Sequence, residues 1–66
     1  MEFYIDSEGQ VKGRLYKCGD FFVGEIGRKT NAVMCGFIAT KGIKSESRKA
    51  CEKFLFDNGC VSAAEN

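Results

Sequence analysis

The chain has 66 residues, with ten basic and nine acidic side chains and a formal net charge of +1. This length supports one domain with a thin core, and the balanced charge excludes a global field that would steer the chain to nucleic acid or an anionic membrane. Apolar residues at 44% and aromatic residues at 12% are too many for a disordered tail. We therefore expect a single folded domain over residues 1–66.

Four segments have the composition and alternation of β-strands, and short turns separate them. Gly, Asn and Asp must form these turns because the chain contains eight Gly and no Pro. The β-branched and aromatic content of the segments favours an antiparallel meander joined by hairpins. The four segments are Phe3–Ile5, Val11–Cys18, Phe21–Arg28 and Ala32–Thr40.

The only helical pattern follows these strands. Ser45 is the expected N-cap, because its hydroxyl can accept from an unpaired amide of the first turn. Asn58 and Gly59 supply the stop, since Gly tolerates the left-handed conformation that closes many helices. Between them an apolar stripe recurs at helical period, and it consists of Ala50, Cys51, Phe54 and Leu55.

The sequence thus predicts an α+β domain, with an antiparallel meander of three to four strands and one C-terminal helix packed on one face. The sheet is expected over residues 2–40, the helix over 45–58 and a flexible tail over 60–66. The expected core comprises Phe3, Ile5, Leu15, Val23, Val33, Cys35, Phe37, Cys51, Phe54 and Leu55.

Four cysteines leave more than one chemistry open. Their spacing, C-x16-C-x15-C-x8-C, lacks the close pairs of a zinc site, and the chain has no His. A disulfide framework would need an oxidising compartment and would allow three pairings. Reduced thiols in small core positions are the interpretation that we favour over disulfides, with metal binding behind both. Cys60 is expected to be the most exposed thiol, and the redox state stays open.

Catalysis has little support in the sequence. His, the commonest general base, is absent, and the acidic residues are scattered without a paired set. We expect no enzyme activity, no metal and no cofactor. The start MEFYIDSEG has neither a basic n-region nor an apolar h-region, and no run approaches the ~20 apolar residues of a membrane span. A soluble cytoplasmic protein without membrane contact is expected.

Nucleic-acid binding is one of two functional hypotheses. Lys12, Arg14 and Tyr16 alternate onto one face of a strand, and such basic residues with an interleaved aromatic can contact phosphates. Further basic residues lie at a hairpin tip and around the helix start. The alternative is that they are solvated positions at the sheet rim. The candidate nucleic-acid-binding set is Lys12, Arg14, Tyr16, Arg28, Lys29, Lys41 and Lys44.

The segment GFIATKGIKSESRKACEKFL supplies a Gly36-Phe37 strand end, a Thr40-Lys41 turn and the apolar stripe of the helix. In this order, after preceding strands, it resembles the three-stranded-sheet-plus-helix DNA-binding module of phage integrases and plant AP2-type factors. The resemblance implies that an exposed sheet face would read DNA through Lys12, Arg14, Tyr16 and Arg28. The chain differs from that module in lacking Trp and in its additional N-terminal strand.

The leading hypothesis is a small non-catalytic protein, of the kind encoded by phages or mobile elements, that occludes the surface of a protein partner and so acts as an inhibitor. Aromatic residues and Arg are the usual anchors of such interfaces. Both faces of the Phe21–Arg28 segment carry large apolar residues, and Phe56 lies off the helix stripe. A homodimer would use the same residues. The candidate protein-binding set is Phe22, Ile26, Arg28 and Phe56.

Overall fold

The protein forms one antiparallel sheet with a single helix across it, as seen in a computed structural model that describes residues 1–29 and 36–63. The strands lie in the order β4-β3-β2-β1-β5, and each neighbouring pair runs antiparallel. The predicted α+β class is confirmed, with five strands instead of three or four. The elements are β1 (Glu2–Ile5), β2 (Val11–Cys18), β3 (Phe21–Lys29), β4 (Phe37–Ser45), α1 (Arg48–Asp57) and β5 (Val61–Ser62).

Side-chain hydrogen bonds fix the turn between β1 and β2. The Asp6 carboxylate accepts from the backbone amides of Glu8 and Gln10, at 2.9 Å each. Gly9 has φ = 78°, a left-handed conformation that Gly adopts without the steric cost of a β-carbon. This local chemistry joins two strands with few residues, as the cluster of turn formers in the sequence predicted.

Helix α1 sits close to the sheet because two glycines lie beneath it. A β-carbon added to Gly24 would lie 3.2 Å from the Cβ atom of Cys51, and one added to Gly13 would lie 2.8 Å from the Cδ2 atom of Leu55. Cys51 and Leu55 are fully buried and pack with Leu15 of β2. The helix therefore covers the sheet face that carries Gly13, Leu15 and Gly24, which we call the helix face; the opposite side is the open face.

The boundaries of β4 and α1 differ from the prediction. Strand β4 continues to Ser45, so the residues expected to connect the sheet to the helix are extended, and the helix starts three residues later, at Arg48. Ser47, not Ser45, is the N-cap, and its hydroxyl accepts from the amide of Ala50 at 3.3 Å. Ser45 instead accepts from the amide of Ser47 at 3.0 Å. Residues 32–35 of the predicted fourth strand lie outside the described residues.

The predicted core is confirmed in part. Four of its members are buried: Leu15, Phe37, Cys51 and Leu55. Phe54 is half-buried and packs against the core cluster, whereas Ile5 and Val23 are half-buried. Phe3 is wrong, since its side chain is 46% exposed; alternation along β1 turns Tyr4, not Phe3, towards the helix. Val33 and Cys35 lie outside the described residues.

The segment after the helix is not a loose tail over its first residues. Val61 and Ser62 form β5 and pair with Ile5 and Tyr4 of β1. The helix ends in a tight reversal in which the amide of Cys60 donates to the Leu55 carbonyl at 3.0 Å, and Gly59 adopts φ = 83°. Cys60 is consequently buried in the core cluster, so the expectation of an exposed thiol is wrong. Residues 64–66 of the predicted tail lie outside the described part of the chain.

Candidate functional site

The predicted protein-binding residues do not form one patch. Phe22 and Ile26 are half-buried and pack against the core cluster on the helix face, and their role in protein binding stays a prediction. They lie on this face because Gly24, which is between them on β3, is where the helix backbone approaches the sheet closely. Arg28 is exposed near the end of β3. Phe56 is 69% exposed and lies near β1 and β5, on the other side of the helix.

The predicted nucleic-acid-binding residues are divided between the two faces. Strand register and alternation place Arg14, Tyr16 and Lys44 on the open face, with Arg28 and Lys41 on the helix side. Lys12 has no partner residue on β1 because the pairing shifts there from Tyr4–Gly13 to Ile5–Val11. Lys29 belongs to β3, and its side chain lies outside the described structure. A single basic face is therefore not formed by this set.

The open face has an ion pair at its centre. Arg14 Nε donates to Glu25 Oε1 at 2.6 Å, and the two side chains are only 22% and 19% exposed. The guanidinium also lies 4.9 Å from the ring centre of Phe37 and 5.7 Å from that of Tyr16. Burial, followed by the nearby Glu25 carboxylate, raises the pKa of Tyr16. The charge of Arg14 is thus compensated within the protein, which lowers its value as a phosphate contact.

An open cleft of about 280 Å³ lies between α1 and the β1–β5 edge of the sheet. Buried Tyr4 and Cys60 form its floor, and exposed Phe56 and Val61 stand at its margin. Val61 is 37% exposed, so it and Phe56 are two of the more exposed large apolar side chains among the described residues. The described residues that line it are Tyr4, Glu52, Phe56, Cys60, Val61 and Ser62.

Two charged residues of α1 lie in line with Phe56, along the side of the helix that borders the cleft. Arg48, Glu52 and Phe56 are spaced four residues apart, so they share one side of the helix. Arg48 bonds Glu2 of β1 through one nitrogen and Glu52 through its Nε atom at 3.2 Å. The bond to Glu2 raises the pKa of Arg48, so the guanidinium stays cationic. One cation therefore pairs with two carboxylates. Arg48, Glu2 and Glu52 together carry a formal net charge of +1 − 2 = −1.

Burial disfavours the thiolate form of the cysteine on the cleft floor. Cys60 lies 3.9 Å from the Asn58 carbonyl, and burial raises the pKa of its thiol. A nucleophilic cysteine requires the opposite shift, because the thiolate is the reactive form. Cys60 is accordingly a packing residue that shapes the floor of the cleft.

Sequence reasoning identified Phe56 but missed the rest of the cleft. A two-residue strand such as β5 is too short to show a period. One signal was present: Asn58-Gly59 is followed at once by Cys60, and the chain could have been expected to turn back onto the sheet. Only the pairing of β5 with β1 shows which edge it reaches.

Comparison of the chain with protein-family models, curated proteins and solved structures gave no match. The resemblance to the integrase and AP2-type module stays a prediction. Within residues 1–29 and 36–63, no helix is long and apolar enough to cross a membrane.

Proposed function

We propose that the chain is a small, non-catalytic, inhibitor-like protein that acts in the cytoplasm by occluding the surface of a protein partner. The observation that carries the proposal is the exposed ring of Phe56 at the margin of the cleft. Large aromatic side chains dominate the binding energy of protein interfaces when a partner buries them. Phe56 contributes little to the core that Cys51 and Leu55 form, so its exposure leaves it free to contact a partner.

The test compares two exposed phenylalanines. The chain, immobilised through its C-terminus, captures partners from a cytoplasmic extract, and each purified candidate is titrated by calorimetry. Phe56→Ser should weaken binding about 30-fold or more, the effect of losing an interface hot spot. Phe3→Ser is the control, because Phe3 is also exposed but lies on the open face. Equal loss in both variants, or none in Phe56→Ser, would overturn the proposal.

The rival function is nucleic-acid binding through Lys12, Arg14 and Arg28. It has less support because Arg14 is already paired with Glu25 and because the basic residues divide between two faces. Titration with duplex and single-stranded DNA and RNA at low and moderate salt separates the two functions. Affinity that falls steeply as salt rises would favour the rival, and Arg28→Gln should then reduce it while Phe56→Ser leaves it unchanged.

A further inference from the structure

Four of the six phenylalanine rings of this protein lie close to the positive charge of a Lys or Arg side chain. In four cases the nitrogen of Lys or the guanidinium carbon of Arg lies 4.8–6.0 Å from the ring centre. Such placement over a ring is attractive because the ring face carries negative charge density. The four pairs are Arg14 with Phe37, Lys17 with Phe22, Lys41 with Phe54 and Lys44 with Phe21.

Phe56 differs from these rings. Among the cation–ring pairs in the described part of the chain, none involves Phe56 or Phe3. Phe3 lies opposite Arg14 in the β1–β2 register, next to a positive charge. Phe56 instead follows Glu52 by one helical turn, and both side chains line the cleft. The charged residue that lines the cleft beside Phe56 is therefore an acid.

The charges around the cleft also favour a cationic ligand. Among the described residues of its lining, Glu52 is the only charged one. Its cationic partner Arg48 also serves Glu2, so the carboxylates exceed the cations by one. The Glu52 side chain is 43% exposed, which leaves it accessible to a further cation. The ring of Phe56 and the carboxylate of Glu52, which shares its one cationic partner with Glu2, lie on one side of the helix and together form a site for a cationic group.

We propose that the cleft receives an arginine side chain of the protein partner, with the guanidinium over Phe56 and bonded to Glu52. Arginine fits better than lysine, because its planar guanidinium stacks on a ring while its N–H groups bond a carboxylate. This inference rests on the proposed function and adds the chemistry of the partner. A second copy of the chain and a lysine side chain are alternatives that the test distinguishes.

The experiment uses two blocked amino acids that differ only in charge. N-acetyl-arginine methylamide and N-acetyl-citrulline methylamide have nearly the same shape, but citrulline is neutral. Each is titrated to about 100 mM against the ¹⁵N-labelled chain at constant ionic strength, since one exposed ring contact and one exposed ion pair support only weak binding. The amide signals of Phe56, Cys60 and Val61 should shift saturably with the arginine derivative. Citrulline should bind about 5-fold more weakly.

Two variants assign the contacts. Phe56→Leu keeps an apolar side chain without the ring and should weaken arginine binding about 2- to 5-fold. Glu52→Gln keeps the shape of the side chain and should weaken it by a similar factor. Phe3→Leu is the control and should change nothing. Lys53→Gln, on the same helix but outside the cleft lining, is the second control.

Each other outcome overturns the inference. Absence of saturable shifts, equal binding of citrulline, tighter binding of the matching lysine derivative, or Glu52-dependent dimers in light scattering would each do so. The proposed function is judged separately by calorimetry with the captured partner. If Phe56→Ser abolishes that binding while Glu52→Gln leaves it unchanged, the partner binds the cleft without arginine; if neither variant matters, the proposed function itself fails.

Discussion

Different interactions stabilise the two faces of the sheet. On the helix face, glycines let α1 approach until the backbone of Cys51 almost touches Gly24, and the contact is apolar. On the open face, Arg14 and Glu25 pair across β2 and β3, and the guanidinium lies over Phe37. The helix face is stabilised by water exclusion, and the open face by a partly buried ion pair with aromatic neighbours.

The comparison explains why large apolar residues occur on both faces of β3 without leaving both exposed. Phe22 and Ile26 lie towards the helix and are half-buried there. Phe21 lies on the open face, where Lys44 stands 4.8 Å from its ring centre and shields it. Apolar residues on two faces of a strand therefore do not by themselves indicate a binding surface.

The largest expected effect is on the helix face. Leu55→Ala should lower the free energy of unfolding by about 2–5 kcal/mol, because it removes a fully buried side chain and leaves a cavity. The neighbouring Phe56→Ala should change it by less than about 0.5 kcal/mol, since that ring is exposed. Urea unfolding followed by circular dichroism measures both. Should Leu55→Ala fail to fold, Leu55→Met, expected to cost less than about 1.5 kcal/mol, replaces it.

A smaller loss is expected where the helix touches the sheet backbone. Gly24→Ala would place a β-carbon 3.2 Å from Cys51 Cβ and 3.3 Å from the Cys51 carbonyl oxygen. Overpacking of this kind costs about 1–3 kcal/mol. Because the opposing atoms are Cβ and backbone, adding Cys51→Ala should give no relief. Recovery of stability in that double variant, measured by urea unfolding, would show that the thiol and not the helix backbone sets the distance.

The sequence predicted the features that repeat. The stripe of Cys51 and Leu55 fixed the buried side of the helix, and alternation along Val11–Cys18 separated Leu15 from Arg14. The helix start was misplaced because Ser45 and Ser47 are equally good caps; the difference is that Ser45 pairs with Phe22 in the β3–β4 register. No local signal measures that long-range pairing.

The candidate site was less predictable for a related reason. Phe56 was found because it breaks the helical stripe. Tyr4, Cys60 and Val61 become neighbours of Phe56 only when the chain end pairs with β1. Similarly, Glu25 was one scattered acid in the sequence, and the β2–β3 register places it opposite Arg14. The positive charge of Arg14 is thus compensated by Glu25 in the fold.

The open face provides the third prediction. A double-mutant cycle with Arg14→Leu and Glu25→Gln should give a coupling energy of about 1 kcal/mol, because both side chains are mostly buried and the bond is charge-assisted. The matched pair Lys53–Asp57 on α1 is 77% and 54% exposed and should couple by only about 0.3–0.5 kcal/mol. Repeating both cycles at about 1 M salt should abolish the second coupling first, since screening acts mainly on exposed charges. Equal couplings would remove the distinction between the open face and an ordinary surface.

The thiols should leave stability unchanged near neutral pH and lower it in alkali. Burial raises the pKa of Cys51 and Cys60 above the ordinary value of 9.0, so the native state retains protons that the unfolded chain releases. The free energy of unfolding is therefore constant with respect to these groups well below pH 9.0, and it falls as the pH rises through that value towards the native-state values. Cys60→Ala should flatten this alkaline decline in urea unfolding, because one of the two linked groups is removed. Cys18→Ser is the control and should retain the full decline, since Cys18 is exposed at the end of β2. If Cys60→Ala left the fall of stability with pH unchanged, the Cys60 thiol would be accessible to water, and the floor of the cleft would be more hydrated than its burial indicates.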